Sequence, residues 1–251
     1  MPEWKVECAD AIEVMRSMPD GSVDMIFTDP PYGHNNNNGD LIHNWEKALG
    51  KPCGPSSESR PIANDGAEAI DLFREMIVQA SRVLHPGCVC CCCCCGGGGP
   101  DPQFAKWSLI IDEHLQFCQQ VIWDKGPMGM GWRYRRSYEV VLVAFRKGVK
   151  MRWYTDRKDI ENILRPSEKW PKILPSADMH PTPKPPGLAE HFICLHTEPG
   201  HLVLDPFCGG GSTGVAAVRS GRRFHGIEID EHWAEYSMRR IERETDGMLF
   251  C

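Results

Sequence analysis

Apolar positions recur along the chain with two alternating periods. A short run, Trp4–Cys8, reads as a strand, and Asp10 then caps a helix carrying Ile12, Val14 and Met15. Pro19-Asp20-Gly21 is a turn signal. The mostly apolar run Val23–Thr28 predicts a buried strand that stops at Asp29-Pro30-Pro31-Tyr32, where neither proline can continue a central strand. Ile70, Phe73, Ile77, Ala80 and Leu84 recur at helical spacing and predict a helix over Ala67–Leu84, ended by His85-Pro86-Gly87. The stretch Cys88–Cys95 falls where the next strand belongs. Phe104–Leu115 reads as a helix, and Phe117–Trp123 and Tyr138–Phe145 as two antiparallel strands. The C-terminal part reads as helix Leu188–Leu195, strand Leu202–Leu204, helix Thr213–Arg219, strand Phe224–Ile229 and helix Glu231–Glu244. Strands alternating with helices predict an α/β fold: a doubly wound, mainly parallel sheet with an antiparallel hairpin.

The segments between these elements add detail. Gly33–Asp65 is polar and rich in Asn, Gly, Pro and Ser, which suits either a mobile loop or one that orders on a ligand or nucleic acid. Gly148–Asp178 shows no clean period and reads as a small irregular insertion. With 251 residues the chain holds one large α/β domain with a modest insertion. The expected division is a catalytic half over 1–147, an insertion over 148–179 and a second half over 180–251. No apolar run reaches the roughly 18 residues needed to cross a bilayer, and the N-terminus lacks the pattern of a secretory signal.

Thirteen cysteines do not make a disulfide scaffold here. Seven lie within 88–95, and neighbours along a strand point to opposite faces. They are expected to be small buried apolar residues in a reducing cytosol, and extended strands do not converge four adjacent thiols on one metal ion. The net charge of −6 hides an asymmetry. From Lys125 to Lys172 there are 13 Lys/Arg against 5 Asp/Glu. That density fits a phosphate-facing surface or a solvated, charge-rich insertion.

Candidate chemistry sits at strand ends. In Asp205-Pro206-Phe207-Cys208-Gly209-Gly210-Gly211-Ser212-Thr213 a strand enters a glycine-rich turn and then a helix, so that backbone N–H groups can approach a ligand closely. Glu228 ends the next strand about 20 residues later, where a carboxylate can accept ribose hydroxyls. No Lys-Ser/Thr follows the glycines as a phosphate loop requires, and the Asp205 carboxylate would repel a pyrophosphate. A cationic, adenosine-bearing molecule such as S-adenosylmethionine suits this inventory better than a dinucleotide. Asp29-Pro30-Pro31-Tyr32 offers a carboxylate, a backbone carbonyl and a ring, a receptor for a planar base with an exocyclic amine held for in-line transfer.

Together these stretches resemble the amino-group DNA methyltransferases of the adenine-N6 / cytosine-N4 family, in the β-type permuted motif order. The matches are Asp10-Ala11, Asp29–Tyr32, His180-Pro181-Thr182-Pro183-Lys184-Pro185, Asp205–Thr213 and Glu228. The family usually has Gln where Pro183 stands and often Ser where Gly210 stands. The resemblance implies a Rossmann-like fold, S-adenosylmethionine as cofactor, no metal, double-stranded DNA as substrate and a homodimer located in the cytoplasm with the nucleoid. It implies catalysis by Asp29, Pro30, Pro31 and Tyr32. It implies cofactor contacts from Asp10, Ala11, Asp29, Lys184, Asp205, Phe207, Cys208, Gly209, Gly211, Ser212, Thr213, Glu228 and Ile229. Asp10 would reach the adenine edge, Lys184 and Thr213 the carboxylate, and Glu228 the ribose. Asp rather than Ser at the head of the catalytic motif favours adenine over cytosine. The target base must leave the duplex stack. Trp132, Arg133, Tyr134, Arg135 and Arg136, with Arg152 and Lys158 of the insertion, are the candidates for phosphate and base contact. The insertion occupies the place of the target-recognition region, and its brevity implies a short recognition sequence. A dinucleotide-dependent oxidoreductase and a silent DNA-binding module are the alternatives from other classes.

Overall fold

The computed structural model describes residues 2–33, 62–94, 103–126, 137–165, 180 and 184–246. Most of the polar stretch 33–65, the loop 96–100, the basic-aromatic segment Trp132–Arg136 and the later part of the insertion lie outside the described residues. One eight-stranded sheet runs through the rest in the order β1-β8-β7-β2-β3-β5-β4-β6. The strands are β1 (Trp4–Cys8), β2 (Val23–Thr28), β3 (Leu84–Cys94), β4 (Gln116–Asp124), β5 (Tyr138–Phe145), β6 (Ile163–Leu164), β7 (Leu202–Asp205) and β8 (Arg223–Glu228). β1, β8, β7, β2 and β3 are mutually parallel, and β5 is antiparallel to both β3 and β4. The doubly wound sheet with an antiparallel hairpin is therefore as expected.

Helices α1 (Ala11–Ser17), α2 (Ala69–Val83) and α3 (Gln103–His114) cover one face, and α4 (Pro186–His196), α5 (Ser212–Arg219) and α6 (Glu231–Thr245) cover the other. The alternation of side chains along β3 divides the cysteine run between two cores. Cys90 and Cys92 pack with Phe73, Trp107 and Leu142, whereas Cys91 and Cys93 pack with Phe27, Phe192 and Val215. All four are free thiols and fully buried, as small apolar residues would be. Burial pushes the Cys91 and Cys93 thiols well above the usual range, which keeps them protonated and unreactive. Among the described residues no cluster of His, Cys, Asp or Glu could hold a metal ion, and no helix is long and apolar enough to cross a membrane.

One boundary differs from expectation. The helix ends at Val83 with Leu84 as its C-cap, within a residue of the expected end, but the next strand begins at Leu84, which pairs with Val23, and not at the cysteine run. The ladder then skips to the Met25–Val89 pair, so the three residues form a bulge. Proline cannot donate within a ladder, and Gly87 takes a positive φ of 79°. A Cβ on Gly87 would stand 2.5 Å from the Lys150 carbonyl oxygen. Arg152 N donates to the Gly87 carbonyl at 2.8 Å, so this bulge anchors the start of the insertion. Within that insertion β6, parallel to β4, is the one strand among the described residues.

The topology positions a cleft. From β2 the chain proceeds through α2 to β3 on one side, and from β7 through α5 to β8 on the other. β2 and β7 are neighbours, paired at Met25–Val203 and Ile26–Leu204. Their connections depart in opposite directions and leave a crevice beyond their carboxyl ends. Packing next to that crevice is tight. A Cβ on Gly214 in α5 would collide with Ile241 of α6 and stand 2.7 Å from the Phe224 ring. Gly214→Val is therefore expected to lower unfolding stability by about 1–3 kcal/mol in urea denaturation, because the added methyls have no space even though the helix itself would tolerate them.

Candidate active site

The crevice has an empty volume of about 1170 Å³, partly open to solvent. Its floor comes from two turns that follow buried strands. Thr28, the last residue of β2, donates its hydroxyl to Asp205 Oδ1 at 2.7 Å. Asp205 also accepts from Phe207 N at 3.1 Å and from the Thr213 hydroxyl. Asp29 on one strand end and Pro206-Phe207 on the other thus enter the same space.

Asp29 is held by two donors. The Tyr32 hydroxyl donates to Oδ1, and Lys184 Nζ lies 2.5 Å from Oδ2. Lys184 Nζ is also 3.3 Å from the Tyr32 oxygen and 5.6 Å from its ring centroid. Burial raises the Asp29 carboxyl above its ordinary value, and the Lys184 charge pulls it back. Ionised carboxylates offer about four lone-pair sites, so acceptor capacity remains on Asp29 for a substrate amine. The Tyr32 ring lies 5.7 Å from Trp107, which stacks on Phe73 at 4.1 Å. Its backbone is fixed too, since Tyr32 N and Gly33 N both donate to Asp65 Oδ1 at 2.8 Å.

The glycine turn is held from its far side. Gly209 N donates to Glu228 Oε2 at 2.8 Å, and Asp230 N donates to Oε1 at 3.0 Å. Burial raises the Glu228 carboxyl despite these bonds. Asp10 caps α1 by accepting from Ile12 N and Glu13 N through Oδ1 and lines the opposite wall. His180 sits over the turn, edge-on to Trp233 at 4.8 Å. Ser212 donates to the Lys184 carbonyl at 2.7 Å, which ties the turn to the segment that delivers Lys184.

Of the residues expected here, Asp10, Ala11, Asp29–Tyr32, Lys184, Asp205, Phe207, Cys208, Gly209, Ser212, Thr213, Glu228 and Ile229 all line the crevice. Gly211 does not. It is the N-cap of α5 with φ 74°, and a Cβ there would press on Ser237 at 2.9 Å. Lys184 meets Asp29, where the resemblance had it near a cofactor carboxylate. Asp205 also departs from the electrostatic part of the sequence argument. Burial pushes its carboxyl up to about 7, and its bonds to Thr28, Thr213 and Phe207 knit the two strand ends together. Arg152 is not brought to the crevice. It stands by Gly87, Cys88 and Asp24, at the amino ends of β2 and β3. Lys158 is exposed. Trp132–Arg136 lie outside the described residues. The neck of their hairpin is described, closed by Lys125 N donating to Ser137 O at 2.7 Å.

The residues that the sequence did not point to are Asp65, Trp233 and Glu139. Glu139 carried a usable signal, a lone carboxylate in the otherwise apolar strand Tyr138–Phe145, which cannot stay buried without a partner. Its partners are Lys125 at 2.5 Å and Lys184 at 3.6 Å. Asp65 lies in a polar stretch where nothing distinguishes it.

A family model described as DNA methylase matches residues 23–239. Among similar characterised proteins, the type II methyltransferase M2.DpnII of Streptococcus pneumoniae is 28% identical, covering 95% of this chain and 89% of that protein. The DNA adenine methyltransferase YhdJ of Escherichia coli K12 is 26% identical, covering 93% and 81%. Solved structures with the same fold include the cytosine-N4-specific PvuII DNA methyltransferase, with TM-score 0.71, 20% identity and coverage of 98% and 93%. The M1.HpyAVI complex with S-adenosylmethionine has TM-score 0.61, 24% identity and coverage of 94% and 99%.

The Asp205 carboxyl generates a pH prediction. Its folded value of about 7 exceeds the ordinary 3.8. Between those values the native state binds more protons than the unfolded chain, so this group's contribution to stability declines as pH rises. Asp205→Asn keeps an acceptor for Thr28 and cannot ionise. Relative to wild type it is expected to gain stability across pH 4 to 7, by up to about 1.4 kcal/mol per pH unit, measured by urea denaturation at each pH.

Proposed function

This chain belongs to the DNA methylase family of S-adenosylmethionine-dependent N6/N4 amino-group methyltransferases, and we propose that the group it methylates is the N6 amine of adenine. The observation that carries the reading is the meeting of Asp29–Tyr32 with the glycine turn 205–213 in one crevice. Asp at the head of the Asp-Pro-Pro-Tyr motif and the adenine specificity in the name of YhdJ support adenine.

The crevice fits the cofactor. Asp10, Asp29, Asp65, Glu228 and Asp230 line it against one lysine among the described residues, an acidic setting that suits a cation. A Cβ on Gly209 or Gly210 would press on His180, so the imidazole packs directly on a turn whose backbone carries no side chains there. In this reading Asp10, Ile229, Trp233 and Glu228 hold the adenosine part, and Phe207 and the Gly209 backbone line the remainder. When bound, S-adenosylmethionine supplies an electrophilic methyl on a cationic sulfur.

The chain's own residues do the rest. Tyr32, braced by Trp107, offers its ring to the extruded base. Asp29 and the Pro30 carbonyl accept the two hydrogens of the amine and aim its lone pair. Lys184 and the Tyr32 hydroxyl fix the Asp29 carboxylate in that orientation. The amine acquires an acidic proton as the new N–C bond forms, and Asp29 is the base in contact with it. Residues 1–147 would then act as the catalytic half and 180–251 as the cofactor half. Residues 148–179 would be a short recognition insertion, reading a short sequence together with the hairpin beyond Lys125. Cytosine-N4 is the second reading, favoured by the likeness to the PvuII enzyme's fold.

Incubation of unmethylated duplex DNA with labelled S-adenosylmethionine, followed by nucleoside analysis, is expected to yield N6-methyladenine. N4-methylcytosine would establish the second reading, and absence of any transfer would overturn both. Methylated-base sequencing of that DNA is expected to show a short motif. Asp29→Ala is expected to lower the transfer rate by at least about 100-fold, the range of a lost positioned base. Cofactor affinity by calorimetry should fall far less than the rate, by no more than about tenfold, because Asp29 is one of several acidic groups in the crevice and Glu139 still neighbours Lys184.

A further inference from the structure

Tyr32 carries the ring offered to the base, yet the chain that delivers it has few backbone donors to be held by. Pro30 and Pro31 have no N–H, so Tyr32 and Gly33 supply the first two backbone donors after Asp29. Both meet one atom. Tyr32 N and Gly33 N each donate to Asp65 Oδ1 at 2.8 Å, from 33 and 32 positions away. Adjacent amides that converge in this way form a cradle for an anion. Asp65 is 1% exposed and lines the crevice. Asn64, directly before it, takes a left-handed φ of 59°, uncommon for a residue with a Cβ. Burying a carboxylate is costly unless it is hydrogen-bonded, and what these two bonds hold is the base-facing turn. Tyr32 is thus restrained at three points: its ring against Trp107, its hydroxyl on Asp29 and its amide on Asp65. The first two act on the side chain. The third sets where the backbone places it.

We propose that Asp65 is a positioning residue for capture of the target base: its acceptor oxygen fixes the Tyr32 backbone so that the ring meets the extruded base in full overlap. A base that leaves the duplex gives up its stacking and pairing there, and the ring of Tyr32 is what it gains in exchange. Stacking on an aromatic side chain favours the bound base about tenfold or more. A ring whose backbone can drift forfeits part of that gain, so fewer bases are held in the crevice at any moment. Transfer then slows even though the cofactor is bound and Lys184 still faces Asp29. The role belongs to the oxygen as an acceptor, since what it holds is a pair of backbone N–H groups. A neutral amide oxygen can hold the same pair.

This inference rests on the proposed methyl transfer, to either amine. Asp65→Ala and Asp65→Asn both remove the charge, but only the second keeps an acceptor oxygen. Calorimetric affinity for S-adenosylmethionine is therefore expected to fall alike in the two, by less than about tenfold. At saturating cofactor, kcat/KM for duplex DNA is expected to fall about tenfold in Asp65→Ala and to stay within about threefold of wild type in Asp65→Asn. The second substrate is a duplex in which the target base, located by sequencing wild-type product, stands opposite a mismatch. Leaving the stack costs less there, so the Asp65→Ala deficit is expected to shrink to about threefold or less. Equal deficits in Asp65→Ala and Asp65→Asn overturn the proposal, and so does a deficit that the mismatch leaves unchanged. A wild type without transfer activity overturns the earlier reading and this one with it, whereas an active wild type beside an unimpaired Asp65→Ala overturns this one alone. Should Asp65→Ala fail to fold, Asp65→Glu carries the test. It keeps the charge and shifts the acceptor by one methylene, so the same mismatch-relieved deficit is expected with cofactor affinity within about twofold of wild type, and its absence overturns the role.

Discussion

Thr28 and Asp205 lie 177 positions apart in the chain, yet the hydroxyl of one donates to the carboxylate of the other across 2.7 Å. Both are buried. In such surroundings the bond is strong, and either partner left alone would be costly. Parallel pairing sets β2 beside β7, but this bond together with those from Phe207 N and Thr213 decides how the chain leaves each strand. Asp29 is the residue after Thr28 and Pro206 the residue after Asp205, so the linkage directs both turns into one crevice. Charge on Asp205 would add little there that the acidic wall does not already supply. A neutral carboxyl could donate as well as accept, which suits a knot of hydroxyls and amides.

The crevice is acidic apart from Lys184 and His180 among its described lining. An unpaired ammonium in the centre of a site for a cationic donor would repel it. Lys184 is flanked by Asp29 and Glu139, so its field is largely cancelled where the donor must sit. The same lysine orients Asp29 and closes on the Tyr32 oxygen. One residue thus joins the catalytic turn, the hairpin strand β5 and, through the bond from Ser212 to its carbonyl, the glycine turn. This explains why a lysine can be tolerated in that place.

The central strands β2, β3, β5 and β7 were legible because they are mostly apolar between turn residues, as strands buried on both faces must be. The cysteine run belongs to the same rule. Its strand identity followed from position, and the split of Cys90 and Cys92 from Cys91 and Cys93 is what a period of two demands. His85-Pro86-Gly87 marked the end of α2 correctly but hid the start of β3, because proline and glycine mark a break without saying that the next element has begun; here the three residues form a bulge within the strand, in contact with Arg146 and Lys150. Most motif residues were legible as members of the crevice, since strand ends in such a sheet converge. Their bonding was not. Nothing in the order of residues says that Lys184 meets Asp29 across 155 positions, or that Asp65 holds the backbone of Tyr32. Arg152 shows another limit of reading charge along the chain. It was grouped by charge with the hairpin, while the backbone bond to Gly87 carries it to the other end of the strands.

Three consecutive glycines show why a motif is a statement about backbone shape before it is one about ligands. Gly209 donates to Glu228 and belongs to the crevice. Gly210 turns its carbonyl to Arg240 at 2.7 Å, and a Cβ on it would approach the His180 Cβ to 2.9 Å. Gly211 packs on Ser237 and starts α5. A serine at 210, frequent in the family this chain belongs to, would have to displace His180 and with it the edge contact to Trp233. The small residue at 210 and the imidazole above it are therefore one choice made at two places in the chain. Together they set how closely the glycine turn is roofed, which is the dimension of the crevice that a bound adenosine would feel.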